Sequence, residues 1–266
     1  MEPAELYRVL EQQYFGPNMH EREEIDLLPG LLKGVKCFVD VGASLGPYSY
    51  ATSKVLKGGR IFCIEADPVR VRRLRELGSE WEKASGNKIQ VIHAAAADKA
   101  GKMDFFLTDA NISGALFKHH VPDQELSSSL NWSKTEVDVV TLDELFGKSD
   151  PDLIKIDVEG AEFRVLMGAR GILGRGKSRF LVEVHPWGDE PLKKTPADVF
   201  NLFAGFGYDF KRTHRHWHFQ KTSQPLKRYV RNRAIVFILN HQSLKQPLKR
   251  LALAVAKARK KKPREV

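Results

Sequence analysis

The sequence predicts an α/β fold, a mostly parallel sheet with helices on both faces. Three observations carry this. Short apolar runs alternate with helical patterns over roughly 200 residues. The first run empties into a glycine-rich turn, Asp40-Val41-Gly42-Ala43-Ser44-Leu45-Gly46. The 266-residue chain is 42% hydrophobic, which excludes a disordered chain and supports one large core.

The elements follow in order. Glu5–Tyr14 carries Leu6, Val9, Leu10 and Gln13 at helical spacing, and Gly16-Pro17-Asn18 ends it. Glu21–Leu28 is a second helical stretch, stopped by Pro29-Gly30. Cys37–Val41 reads as a buried strand, Tyr48–Leu56 as a helix and Arg60–Ile64 as a second strand. Pro68 opens a helix through about Leu77, because its missing N–H costs little in a first turn. Lys88–Ile92, Val137–Val140, Leu153–Val158 and Phe180–Val184 read as strands. Ala161–Leu173 and Ala197–Phe203 read as helices, and Arg233–Leu239 as a last strand. The polar segment Leu107–Thr135 breaks the rhythm and reads as an insertion of functional kind. His214, His216 and His218 alternate along one strand. They are expected on the exposed face of an edge hairpin, with Trp217 and Phe219 supplying the buried face.

Charge divides the chain. From Lys211 to Val266 there are 17 Lys and Arg against one acid, Glu265, whereas the remainder holds 26 bases and 32 acids. A uniformly basic nucleic-acid-binding domain is thereby excluded. Two cysteines, Cys37 and Cys63, both inside apolar runs, exclude a disulfide scaffold and a Cys-rich zinc module. No apolar run approaches the ~20 residues of a spanning helix, and the N-terminus lacks a signal-peptide pattern. The expected setting is cytoplasmic.

The turn after the first strand is D-x-G-x-x-x-G, lacking the third glycine of the dinucleotide fingerprint. An acid leading it repels a pyrophosphate and attracts an amino group. Gly42 permits close backbone approach to a ligand, and Gly46 tight helix packing. Glu65, at the end of the second strand, is placed to accept hydrogen bonds from ribose hydroxyls. Asp40 with Glu65 therefore suits a nucleoside carrying an amino acid, which describes S-adenosyl-L-methionine. His93-Ala94-Ala95-Ala96-Ala97-Asp98 leaves room for a flat adenine, with Asp98 as acceptor for its amine or as a simple turn acid. Asp152-Leu153-Ile154-Lys155-Ile156-Asp157-Val158-Glu159-Gly160 is an apolar strand that carries a lysine and ends in two acids. Lys155 and Asp157 share a face, as an ion pair or as groups around the reacting methyl and acceptor. His185, in Glu183-Val184-His185-Pro186, is either a general base near neutral pH or a satisfied surface histidine.

FVDVGASLGPYS, IEADP, AAAADKAG, VTLDELF, LIKIDVEGAEFRVLMGAR, LVEVHP and GYDF together resemble the FkbM family of S-adenosylmethionine-dependent methyltransferases, over roughly Val35–Phe210. The resemblance implies a class I methyltransferase Rossmann-like fold with a mostly parallel seven-stranded sheet. It also implies methyl transfer, usually to a hydroxyl of a sugar, glycolipid or secondary metabolite. By position, Asp40, Gly42, Ser44 and Gly46 take the cofactor-loop role, Glu65 the ribose role and Asp98 the adenine-side role. Ser44 stands where the family often has Asn. Asp157 is the first candidate for base or acceptor positioning and His185 the second, with Lys155 and Glu159 beside them. No dense ligand cluster is visible, so no metal is expected.

Three units are expected: an N-terminal helical extension (1–30), an FkbM-type methyltransferase domain (31–240) and a basic tail (241–266). Leu248, Leu251 and Val255 make the tail amphipathic. It reads as a solvated tail or as one suited to peripheral contact with an anionic membrane, hence a glycan or lipid-linked acceptor, and less as one for nucleic acid. Two other functions compete. A nicotinamide-dependent oxidoreductase is disfavoured by the missing third glycine, and a non-catalytic adapter of the same fold by the Asp40–Glu65 pair.

Overall fold

A computed structural model describes residues 8–10, 12, 22–108, 132–147, 149–189 and 191–222. The expected helix Glu5–Tyr14 (for the most part), the last strand Arg233–Leu239 and the basic tail lie outside the described residues.

A seven-stranded sheet forms the centre. Its strands are β1 (Cys37–Val41), β2 (Arg60–Glu65), β3 (Lys88–His93), β7 (Leu153–Ile156), β8 (Arg179–Glu183), β9 (Tyr208–Arg212) and β10 (His216–Lys221), in the order β3-β2-β1-β7-β8-β10-β9. Neighbours pair in parallel except β10, which runs antiparallel between β8 and β9. Every residue of β1 and β7 is buried, the signature of a parallel sheet covered on both faces. Period-2 alternation splits the core. Val39, Val41, Ile154, Ile156, Phe180 and Val182 pack with α5 (Glu162–Met167), α6 (Arg170–Arg175) and α7 (Pro196–Gly205). Phe38, Ile61, Cys63, Leu153 and Leu181 face α1 (Arg22–Leu31), α2 (Pro47–Val55) and α3 (Pro68–Ser85). Asp40 and Lys155 share the parity of this second set and stand opposite each other on β1 and β7.

The helix starts obey local chemistry. Pro47 and Pro68 open α2 and α3, and the Asp67 side chain caps α3 by accepting from the N–H groups of Val69 and Arg70. Thr141 caps α4 (Leu142–Phe146), and Thr195 with Asp198 forms a capping box on α7.

Four expectations are corrected. First, α1 runs through Pro29 to Leu31 instead of stopping there, since a proline this close to a helix end removes few hydrogen bonds. This helix crosses the boundary drawn at residue 30, and its Ile25 and Leu28 share a core with β1 and α2. Second, Ala161–Leu173 is two short helices. Gly168 separates them, and a Cβ there would lie 2.0 Å from the Ala97 carbonyl oxygen. Third, the rhythm-breaking segment is flanked by pairing. β5 (Gly101–Thr108) and β6 (Trp132–Val140) are antiparallel, and β4 (Ala95–Ala96) joins β6 to complete a three-stranded sheet. Fourth, β10 is not an edge strand. His216 is fully buried beneath the edge of the Tyr48 ring.

Candidate active site

The candidate residues converge beyond the carboxyl ends of β1, β2, β7 and β8. The β1 turn is built on three left-handed residues, Gly42 (φ 74°), Ser44 (φ 54°) and Gly46 (φ 83°). Asparagine tolerates this region better than most residues, which explains why Ser44 occupies an Asn-type position. The space left by Gly42 is taken by the protein itself: a Cβ would sit 1.9 Å from the Asp157 carbonyl oxygen. That contact locks the β1 turn to the β7 turn, where the sequence reading assigned the space to a ligand. At Gly46 a Cβ would meet Leu74 and Trp81 of α3 at 2.6 and 2.7 Å, so its role is helix packing.

Glu65 closes the turn from β2. Its Oε2 accepts from the Ser44 N–H (2.7 Å), and its Oε1 from the N–H groups of Ala66 (2.9 Å) and Asp67 (2.8 Å). Burial pushes this carboxyl up, against the pull of the Asp67 and Ser44 N–H bonds. Arg70 donates to Ser44 Oγ at 3.1 Å and so braces the same turn.

Between β1 and β7 lies a buried charge relay. Lys155 Nζ is 3.5 Å from Asp40 Oδ1 and 3.3 Å from Asp157 Oδ2, and stands 4.7 Å over the Tyr48 ring. Asp40 Oδ2 accepts from Ser49 Oγ at 2.7 Å. Asp40 is 0% exposed, so the ammonium it faces is the chain's own. The direct amine contact expected of Asp40 is corrected accordingly: it holds Lys155, which in turn holds Asp157. Burial raises the Asp40 carboxyl, with Lys155 and Ser49 opposing. Burial opposes the charge on Lys155, but Asp157 and Asp40 outweigh it and keep the lysine protonated.

Asp157 is about a quarter exposed (26%) and Glu159 a third (33%). Burial would raise the Asp157 carboxyl, yet the positive charges of Lys155, His185 and His216 bring it down to about 2. His185 Nδ1 lies 2.8 Å from Oε1 of Glu162, a buried acid. Its Nε2 lies 3.5 Å from Glu159 Oε2 and 3.9 Å from Asp157 Oδ1. Burial disfavours the imidazolium, but Glu162, Asp157 and Glu159 raise His185 to about 9.

Asp98 stands apart, exposed in the turn after β4. The preceding alanines, 94 to 97, are buried beside Phe105, Val137 and Val139.

Two participants, Glu162 and Glu24, escaped the sequence reading, and a third, His216, was expected on an exposed face. Glu162 fixes the His185 ring. Glu24, on α1, accepts from the N–H groups of Arg215 and His216. His216 places its Nδ1 3.7 Å from Glu24 Oε1 and its Nε2 3.9 Å from Glu183 Oε2. Their partners lie on other elements, where no local pattern points to them. The structure also brings together two groups with cation-ligand geometry, Asp157–Glu159–His185 and Asp157–Glu183–His216, each with ligand atoms within 4.8 Å of one another. No helix among the described residues is long and apolar enough to cross a membrane.

Among solved structures, the chain is similar to a methyltransferase FkbM from Methylobacillus flagellatus KT (19% identity, 82% of this chain and 50% of that one, TM-score 0.49). It is also similar to a precorrin-6y C5,15-methyltransferase from Geobacter metallireducens GS-15 (13%, 78% and 92%, 0.43). A third likeness is to a putative caffeoyl-CoA O-methyltransferase from Staphylococcus aureus (11%, 84% and 93%, 0.46). The chain thus spans half the length of the first of these. No curated protein matches it. The family model described as "Methyltransferase FkbM domain" matches residues 40–210, from the buried aspartate of β1 to the middle of β9. The chain therefore belongs to the FkbM methyltransferase domain family.

Proposed function

We propose that this protein transfers a methyl group from S-adenosyl-L-methionine to a hydroxyl of a sugar, glycolipid or secondary metabolite. The observation that carries the reading is the Glu65 carboxylate at the end of β2. It accepts three N–H bonds from the chain itself, and an ionised carboxylate offers about four acceptor positions. One position remains, which fits a ribose hydroxyl. Glu65 and the backbone of the 42–46 turn hold the nucleoside side of the cofactor, and Asp98 its adenine side.

When bound, S-adenosyl-L-methionine supplies an electrophilic methyl on a sulfonium. The remaining work is placement. Lys155 and His185 keep Asp157 ionised across the neutral range, so its carboxylate accepts a hydrogen bond from the acceptor hydroxyl and orients it. Positioning of this kind can supply roughly 7–11 kcal/mol in well-oriented reactions. With its carboxyl near 2, Asp157 is a poor proton acceptor, so orientation outweighs general base catalysis. Trp187 lies 4.8 Å from the His185 ring and is only partly buried. A partly exposed indole beside two carboxylates suits the apolar face and polar rim of a sugar.

Two measurements test the reading. Calorimetry with S-adenosyl-L-methionine and with NAD separates a methyltransferase from an oxidoreductase, and Glu65→Ala should abolish the first binding. A screen of sugar, lipid-linked and small hydroxylated acceptors, read as a one-methylene mass gain, identifies the acceptor. Failure to bind the methyl donor would sink the proposal.

A further inference from the structure

Asp157, Glu159 and His185 come from two turns, one after β7 and one after β8. Their mutual distances are informative. His185 Nε2 is 3.5 Å from Glu159 Oε2 and 3.9 Å from Asp157 Oδ1. Both exceed the ~2.7–3.2 Å of an N–H···O hydrogen bond. Metal–ligand bonds of about 2.0–2.2 Å set neighbouring donors about 3.0–3.6 Å apart; the His185–Glu159 separation falls in that range and the His185–Asp157 separation is slightly wider. All three ligand atoms lie within 4.8 Å of one another.

A second observation points to a ligand. His185 is 7% exposed, and its Nε2 faces the Glu159 and Asp157 carboxylates at 3.5 and 3.9 Å. The other ring nitrogen is held by the buried Glu162 at 2.8 Å, and Glu162 is itself fixed by the Gly160 N–H at 2.9 Å. A carboxylate that orients a histidine from behind, so that its far nitrogen faces outward, is the supporting arrangement of protein metal sites.

We propose that Asp157, Glu159 and His185 form a divalent-cation site, with Glu162 as the residue that positions the imidazole. One imidazole and two carboxylates suit a borderline ion such as Mn2+ or Zn2+ better than Ca2+, which takes oxygen ligands. The neighbouring group, Asp157–Glu183–His216, is the less suitable cradle. Its His216 is fully buried, and its Glu183 is already paired with Arg215 at 3.0 Å. The exposure of Asp157 and Glu159 leaves coordination positions open. Resting on the O-methylation reading, one of these positions takes the acceptor hydroxyl and lowers its pKa.

The test reads ion binding, not methyl transfer. The full chain, stripped with EDTA and desalted, is titrated with Mn2+ while the electron paramagnetic resonance signal of free Mn2+ is followed; Zn2+ is then added as competitor. One saturable site per chain is expected, displaced by Zn2+. Glu159→Gln and His185→Gln should each weaken it at least about tenfold, and Glu162→Gln by about 10- to 100-fold. His216→Gln removes a neighbour of Asp157 but none of the three ligands, so it should weaken binding less than Glu159→Gln does. Glu159 is partly exposed, so its variant folds even if the histidine variant does not. Absence of a saturable site overturns the proposal. So does binding indifferent to Glu159→Gln, or binding lost in His216→Gln alone. If Mn2+ binds while S-adenosyl-L-methionine does not, the methylation reading fails and the cation site stands.

Discussion

At the scale of single residues, the site is organised by charges that cannot be removed one at a time. Lys155 lies between Asp40 and Asp157 in the sheet interior. Replacing it by an apolar residue of similar length leaves Asp40 buried without a counter-charge. Lys155→Met should cost about 3–5 kcal/mol in urea unfolding, and the double variant Lys155→Met/Asp40→Leu should recover most of it. Recovery of nothing would show that the pair does not act as a unit. Asp157→Asn keeps the shape and removes the charge proposed to orient the acceptor. It should cut turnover by about 10²-fold while changing donor affinity little, because the proposed arrangement assigns the donor to Glu65 and the 42–46 turn. Unchanged turnover in a steady-state assay would take Asp157 out of the mechanism. Lys155 and Asp157 as neighbours on one face were legible in the sequence, since alternation along a strand requires it. The protonation states were not, because they depend on His185, Glu162 and Lys155 meeting through space.

At the scale of elements, the two turns after β1 and β7 are one unit. The Asp157 N–H donates to the Val41 carbonyl at 3.0 Å, and Gly42 leaves the space that the Asp157 carbonyl oxygen fills. Gly42→Ala combines a left-handed φ with an impossible contact. It should cost roughly 1–3 kcal/mol or more and lower turnover by displacing Asp157. Gly58 has a similar φ, 61°, but nothing lies within 4 Å of a Cβ there. Gly58→Ala should cost only the backbone strain, about 1–2 kcal/mol. Comparing urea midpoints of the two variants separates contact from strain; equal losses would deny the close approach. Most element positions were readable from apolar periodicity and from Pro and Gly punctuation. β5 was missed because Gly101–Thr108 begins with exposed polar residues. Only its pairing with β6 reveals Phe105 as buried and Lys102–Glu136 as a cross-strand ion pair at 2.8 Å.

At the scale of the whole molecule, α1 is tied to the start of β10, near the far end of the described residues. Glu24 meets the N–H groups of Arg215 and His216, and its carboxylate also faces the rings of His214 (3.7 Å) and His216 (3.7 Å). Burial alone would raise Glu24, but the bonds from His216 and Arg215 lower it to about 2. A depressed carboxyl contributes stability that is fully present above its unfolded value of 4.5 and is lost as pH falls towards 2. The urea midpoint should therefore drop across that window, and Glu24→Gln should flatten the drop while lowering the neutral-pH midpoint. An unchanged acid profile in the variant would show that Glu24 does not link the two ends.

By itself the sequence determined the strands β1, β2, β3, β7 and β8 and the helices between the first three, the burial of β1, and the corner where an acid leads a glycine turn. These are local properties: each follows from residues a few positions apart, whose periodicity and turn chemistry suffice. Only the tertiary structure decided which charge answers which. It gave Asp40 to Lys155 rather than to a ligand, set three carboxylates around His185, and joined Glu24 to a backbone N–H 191 residues away. Electrostatic and coordination chemistry act over a few ångströms in space, and spacing along the chain does not carry that information.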